Sequence, residues 1–478
     1  MLPSKKGFTA HAPARLEPPE QPRNLDERDM ERMGRPQQLN VRKIDPNTLF
    51  QDSEPNTLPQ RIFGPWGLMG FASVTGAVWQ APSAGVGLAS VCYAVTLQIQ
   101  GLVVLTNPNF AFQGWHASLM TIAVALCAVF FNTVLVGALP TLEFVMLVLH
   151  FAAYFVFIFV LGFMGPSSTS AEVWNSWENE NEWSNTGTAV LVGIIAPITT
   201  LTSADSVCHL AEKLKDASRW LPRVMVAAAA SNFAIGFALL VLILYRAGDI
   251  QAAVDSPTGQ PYIEILLNAT KSVPGTAVLV AYIVLALIFC ATNVVTTSSR
   301  QLFSFARDGG VPFSHSLSQV SDRNHIPVRA ITCTIIVTIV LSLILIGSSL
   351  AFNIIATLFG VALLGSYLTS ISTLVYQRFS GSQLPRTRFS LGSFGLPINL
   401  ATIIFDLFAF VMLFFPAAPN PTTQTMNWAV LIFGAVVIFA LGFYFTQTKH
   451  IYRSPAQITR PEEDMEMSES PSREEHKL

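Results

Sequence analysis

Residues 187–223, GTAVLVGIIAPITTLTSADSVCHLAEKLKDASRWLPR, decide how the chain is read. The stretch opens as an apolar membrane helix and then departs from one. Pro197 removes a backbone donor and disfavours the helical conformation at Ala196. Small polar residues follow, Thr199, Thr200, Thr202 and Ser203, and then a carboxylate, Asp205. Beyond it the character turns to surface, with Lys213, Lys215, Arg219 and Arg223. A helix interrupted by a polar cluster and a charge is the arrangement with which membrane transporters form a mid-membrane binding site.

Composition agrees with a membrane setting. Of 478 residues, 51% are hydrophobic and 12% charged, against about 25% charged in a soluble domain. Repeated apolar runs near the length of a bilayer crossing point to an all-α, polytopic helical membrane protein, with the lipid bilayer as its partner. A net charge of −2 suggests no nucleic-acid partner. Cys92, Cys127, Cys208, Cys290 and Cys333 sit in or beside apolar runs, at spacings that fit neither a zinc site nor a redox pair, and are read as small buried hydrophobes. No metal or cofactor is expected. The chain lacks a P-loop, an HExxH and a GxSxG elbow, which argues against an ATP-driven pump or a hydrolase of those types, and an enzyme is not expected.

Three regions follow from the same patterning. Residues 1–62, charged and proline-rich, are expected to be a disordered tail with no cleavable signal peptide, and residues 449–478 a second one; 63–448 form the membrane domain. Spans are expected at 84–105, 117–136, 141–165, 187–210, 221–246, 274–298, 328–347, 350–376, 396–416 and 427–447. Pro82, Gly85 and Gly87 are expected to split off a half-helix or interfacial segment at 66–80. With both termini cytoplasmic, every Lys and Arg except Arg246 and Lys271 falls in an inner loop or a tail, as the positive-inside rule requires. Asn268-Ala-Thr270, a glycosylation sequon, then lies outside.

Ionisable residues within spans are few: Glu143, His150, Asp205 and Asp406, with His209 and Glu212 near one end. Each is costly in lipid and should face protein or water. Asp205 either holds a ligand at the break or caps the second half-helix, and one carboxylate can do both. Glu143 and His150, seven apart, share a helix face and either bond to neighbouring helices or relay a proton. Asp406 reads as a peripheral polar contact, and Gln98 and Gln100 as interhelical glue. Thr292, Asn293, Thr296, Thr297, Ser298 and Ser299 form a second polar cluster, suited to a ligand or to helix–helix hydrogen bonds. The SFARDGGVPFSH that follows reads as a tight, charged inner loop turning at Gly309-Gly310.

Several blocks together carry a family resemblance. SADSVCHLAEKLKDASRWLPR and SRQLFSFARDGGVPFS resemble signature blocks of the fungal amino acid/choline permeases, the group that contains GABA and choline permeases. IQGLVVLTNPNF, LPTLEFVMLVLH, DSPTGQPYIEILLNAT and MNWAVLIFG continue the likeness in family order, and DERDMERMGRPQQL resembles the cytoplasmic lead-in. The resemblance implies the LeuT-like inverted-repeat fold of the amino acid–polyamine–organocation superfamily. It also implies a proton-coupled permease for amino acids, GABA, choline or related amines, in the plasma membrane or else the vacuolar membrane. Carried onto this chain, the unwound part of the sixth span comprises Thr200, Leu201, Thr202, Ser203, Ala204 and Asp205, and the eighth span contributes Thr292, Asn293 and Thr296.

One departure stands out. The lead-in passes into VRKIDPNTLFQDSEPNTLPQRIFGPWG, which is not membrane-like, and the likeness resumes near the family's third span at 72–105. The chain is therefore expected to lack the family's first two spans, leaving about ten. That change preserves the orientation of everything downstream but removes half of the family's substrate site. A non-transporting membrane sensor or regulatory protein, or an inactive truncated permease, is the alternative reading.

Overall fold

The computed structural model describes residues 65–177, 179, 182–194, 196–198, 208, 217–321, 326–380, 389–416, 418–423 and 426–448, with the side chains of 65–85, 217, 218 and 448 outside that description. Among these residues the regular structure is helical, with no strand. The principal helices are α1 Pro65–Thr106, α2 Gly114–Thr133, α3 Leu139–Met164, α4 Ser170–Asn175, α5 Thr186–Gly193 and α6 Ala217–Arg246. They continue with α7 Ile250–Val254, α8 Pro261–Thr270, α9 Val273–Arg307, α10 Ser314–Leu317, α11 Val328–Ser342 and α12 Ile344–Gly347, then α13 Ser349–Phe379, α14 Gly395–Met412 and α15 Ala429–Phe443.

Nine helical stretches among the described residues are long and apolar enough to cross a membrane, and they match nine of the ten expected spans. The other, 187–210, is represented by residues 187–194, by 196–198, which are still helical at Pro197, and by 208; the rest of it lies outside the described residues. Their exposed faces are those a soluble fold would bury: Phe144, Phe155 and Phe163 on α3, Val226, Phe233 and Leu240 on α6. Apolar side chains on the outside are what lipid, rather than water, selects.

Two boundaries differ from expectation. The first span was expected to break near Pro82, yet α1 runs unbroken for 42 residues. Its length of about 63 Å is twice a hydrocarbon core of about 30 Å. One missing donor at a proline is tolerated within a long helix at membrane depth, where neighbours re-satisfy the freed carbonyl. Gly87 serves packing instead of a break: a Cβ there would lie 2.6 Å from the ring of Phe359 on α13. The second difference is α9, which continues past 298 to Arg307 before the chain turns at Gly309, φ +77°. Leu302, Phe303, Phe305 and Ala306 bury that last stretch, so the polar signal of Ser298, Ser299 and Arg300 marks a helix leaving the lipid, not a helix ending.

The core lies where α1 meets α2, α9 and α11: Leu88, Cys92 and Val95 pack with Ala125, Ala128, Ala291, Val295 and Ile335. α13 covers another face of α1 and carries α14 and α15 on its far side. The connector after α6 folds back on the bundle, with Ala253, Leu266 and Ala269 against Leu161 of α3. The sequon belongs to this connector. Asn268 lies in α8 with its amide donating to Glu264 Oε1 at 3.4 Å, and the Thr270 hydroxyl shares a 2.8 Å hydrogen bond with Thr276. The motif is thus folded into a helix end.

Candidate functional site

The polar run Thr200, Leu201, Thr202, Ser203, Ala204 and Asp205 lies outside the described residues, as do His209 and Glu212. The flanks of the run are described. Asn185 caps α5 by accepting from the Thr188 backbone at 2.8 Å. Ile198, one residue past Pro197, is buried in a cluster with Val361 and Leu364 of α13, Ala409 of α14 and Leu413, which caps α14. On the other side α6 packs along α3.

The cluster on α9 divides by face. Thr292 is 1% exposed, and its hydroxyl donates to the Ile288 carbonyl at 3.0 Å. Thr296, one turn on, donates to Asn132 Oδ1 of α2 at 2.5 Å. Asn132 in turn donates to the Thr292 carbonyl at 2.8 Å and to the Ala128 carbonyl at 3.0 Å. These groups bolt α2 to α9 and are satisfied by one another, as interhelical polar groups in lipid must be. Asn293 lies about 100° around the helix from Thr292 and is exposed. Of the three α9 residues, Asn293 presents its amide on the open face, and there it meets Glu143.

Glu143 and His150 do share one face of α3, and both reach the same neighbour. Asn293 donates to Glu143 Oε2 at 3.2 Å, and the Tyr282 hydroxyl lies 3.4 Å from His150 Nδ1. Glu143 Oε1 is buried without a hydrogen-bond partner among the described residues. The result is a polar seam between α3 and α9 on the side of the bundle where α6 also packs. Sequence reasoning had placed Glu143 and Asn293 in separate groups; the structure joins them.

A further link ties the outer connector to α1. Gln98 Nε2 donates to Gln260 at 3.0 Å, and the Tyr262 hydroxyl donates to Gln98 Oε1 at 2.5 Å. Gln98 is glue, as expected, but to a connector and not to another span. Burial pushes the Tyr262 phenol up to about 12 from 10.0, so it stays a neutral donor near pH 7. A group raised in the folded state contributes stability that is present below its unfolded value and lost as pH rises through its folded one. Tyr262→Phe is expected to destabilise the protein by roughly 0.5–1.5 kcal/mol at neutral pH. It should also flatten the alkaline fall in stability between pH 10 and 12. Unfolding temperature against pH measures both, and an identical alkaline slope in the variant would refute the assignment.

Asp406 is not peripheral. It is 6% exposed, on the face of α14 turned into the bundle. Among the described residues no group of three His, Cys, Asp or Glu is placed to hold a metal ion. Of the cysteines only Cys92 is buried; Cys127, Cys208 and Cys290 are exposed.

Comparison with known proteins gives the family of these helices. The amino acid permease family matches residues 65–438. A Macrophomina phaseolina protein named as an amino acid/polyamine transporter is 28% identical over 69% of this chain and 73% of its own length. An uncharacterised amino-acid permease of Schizosaccharomyces pombe is 27% identical over 84% of this chain and 72% of its own. The choline transporter of Saccharomyces cerevisiae is 26% identical over 74% of this chain and 63% of its own. A family match that begins with α1 and ends within α15 takes in eight of the nine spans described here and part of the ninth, and the chain belongs to the amino acid permease family of membrane transporters.

Proposed function

We propose that this chain is a proton-coupled secondary transporter of amino acids, GABA, choline or related amines, working by alternating access around the interrupted span. The observation that carries the reading is the family match across residues 65–438. The names of the relatives, an amino acid/polyamine transporter and a choline transporter among them, support the substrate class. The LeuT-like inverted-repeat arrangement comes from the same resemblance. Thr200, Leu201, Thr202, Ser203, Ala204 and Asp205 contact the substrate or hold the break in this reading, and Asn293, beside Glu143, offers the α9 contribution. Thr292 and Thr296 support it through Asn132. In this reading the charge pattern supports cytoplasmic termini, and the family resemblance supports the plasma membrane or else the vacuolar membrane.

A second reading, a non-transporting sensor or regulator, is favoured by residues 41–67, VRKIDPNTLFQDSEPNTLPQRIFGPWG, which stand where the family's first two spans belong. Uptake separates the two. Cells expressing the chain should accumulate labelled amine when a proton gradient is imposed, and Asp205→Ala should abolish accumulation. Normal uptake in that variant removes Asp205 from the mechanism. A signalling response to amine without uptake by the unaltered protein sinks the transport reading in favour of the second.

A further inference from the structure

We propose that Asp406 is a membrane-buried proton-binding site, set apart from the substrate residues, on the face of α14 that turns into the bundle. The proposal deepens the proton-coupled reading above and rests on it for its role in transport. It stands on three observations. Asp406 is 6% exposed, and its Oδ2 is buried with no hydrogen-bond partner among the described residues. Asp406, Ala409 and Leu413 fall at i, i+3 and i+7, one face of α14. Ala409 and Leu413 are the residues that pack on Ile198, just before the expected break.

The polar residues that serve as glue in this protein show their bonds: Asn132, Thr296 and Gln98 each have partners on another helix or on the connector. The buried oxygen of Asp406 has none among the described residues, so glue between the described helices does not account for it. An ionised carboxylate at this depth needs a partner or water. The titratable and charged groups on the elements packed around α14 are few. α13 brings Tyr367, which packs on the same cluster, together with Tyr376 and Arg378. The Arg378 guanidinium lies against Gly395, about 16 Å along the helix from Asp406. α15 carries no titratable residue, and neither α5 nor Ile198 supplies one.

The chemistry left is protonation. A proton from the aqueous phase bonds to the carboxylate, and a neutral acid replaces the charge. The neutral form suits the dry packing of Ala409 and Leu413 on Ile198. The ionised form needs water at the same place. Proton occupancy therefore sets whether this face of α14 packs dry or hydrated.

The test uses the full chain in lipid nanodiscs. Infrared difference spectra across a pH titration should show a protonated carboxyl band near neutral pH that is missing in Asp406→Asn and restored in Asp406→Glu. In cells, Asp406→Asn should still exchange labelled amine across the membrane but fail to concentrate it under a proton gradient. A neutral-pH spectrum without that band, or with the same band in Asp406→Asn, overturns the proposal. So does gradient-driven accumulation by Asp406→Asn equal to that of the unaltered protein. If the unaltered protein moves no amine but shows the Asp406-dependent band, the transport reading falls while the proton site stands. Melting curves of the variants check that each is folded.

Discussion

Asn132→Asp is expected to lower the unfolding temperature sharply, with a loss of roughly 3–5 kcal/mol, the range for stranding a buried charge. The substitution is nearly isosteric, so shape is not what changes. Asn132 is 5% exposed and makes three hydrogen bonds, two as donor to the Ala128 and Thr292 carbonyls and one as acceptor from Thr296. A carboxylate keeps the bond from Thr296 and turns both donations into oxygen–oxygen repulsions. Asn132→Leu separates charge from lost hydrogen bonding. It should cost about 1–2 kcal/mol from the missing bonds and leave the helix pair assembled. Thermal unfolding of the purified protein in detergent ranks the three. An Asp variant as stable as the Leu variant would mean the site is wet, and the α2–α9 bolt would not be buried as described.

Asn132 also shows where sequence reading stopped. It sits near the end of an apolar run, FFNTVLVG, as a lone amide with no charge and no polar neighbour but Thr133. Ionisable groups and dense polar clusters stand out in an apolar span, and a single amide is neither. Thr292 and Thr296 drew notice through density, yet their partner lies about 160 residues away in sequence, separated by 160 and 164 positions. No periodicity reports such a pairing. Asn293 was grouped with them because it is adjacent in sequence, although adjacency on a helix means a different face. Its link to Glu143, 150 positions away, needed the fold.

The spans themselves were legible because lipid imposes a length on an apolar helix. Nine expected windows coincide with membrane-length helices for that reason. What hydropathy does not report is where a helix stops once it has left the lipid. α9 runs nine residues past its expected end, to Arg307 where 298 was expected, because Phe303 and Phe305 keep it packed. α1 extends before its span through Pro82, which reads as a break only when the neighbouring helices are left out. Asp406 differs from expectation for a related reason: hydropathy does not report which face of a span turns inward, and α14 buries that residue to 6% exposure.

Gly114→Ala and Gly434→Ala should move stability in opposite directions. Replacing a helical glycine by alanine stabilises an unhindered helix by up to about 1 kcal/mol. Gly434 on α15 has nothing within 4 Å of where a Cβ would stand, so Gly434→Ala should leave the unfolding temperature unchanged or raise it. Gly114 opens α2, and a Cβ there would lie 2.5 Å from the Leu345 carbonyl oxygen and 2.9 Å from that of Ile346. Those atoms are backbone of α12, and backbone cannot swing aside as a side chain end does. Either α12 or the start of α2 must shift, and overpacking of this kind costs roughly 1–3 kcal/mol. The shift would carry through α12 to Tyr93 and Phe352, whose rings pack with Leu345 5.0 Å apart at centroid. Gly114→Ala should therefore unfold at a lower temperature than the unaltered protein even though alanine is the better helix former. Equal stabilisation by both substitutions would show that the α2–α12 contact is looser than 2.5 Å implies, and the close approach of those two helices would have to be abandoned.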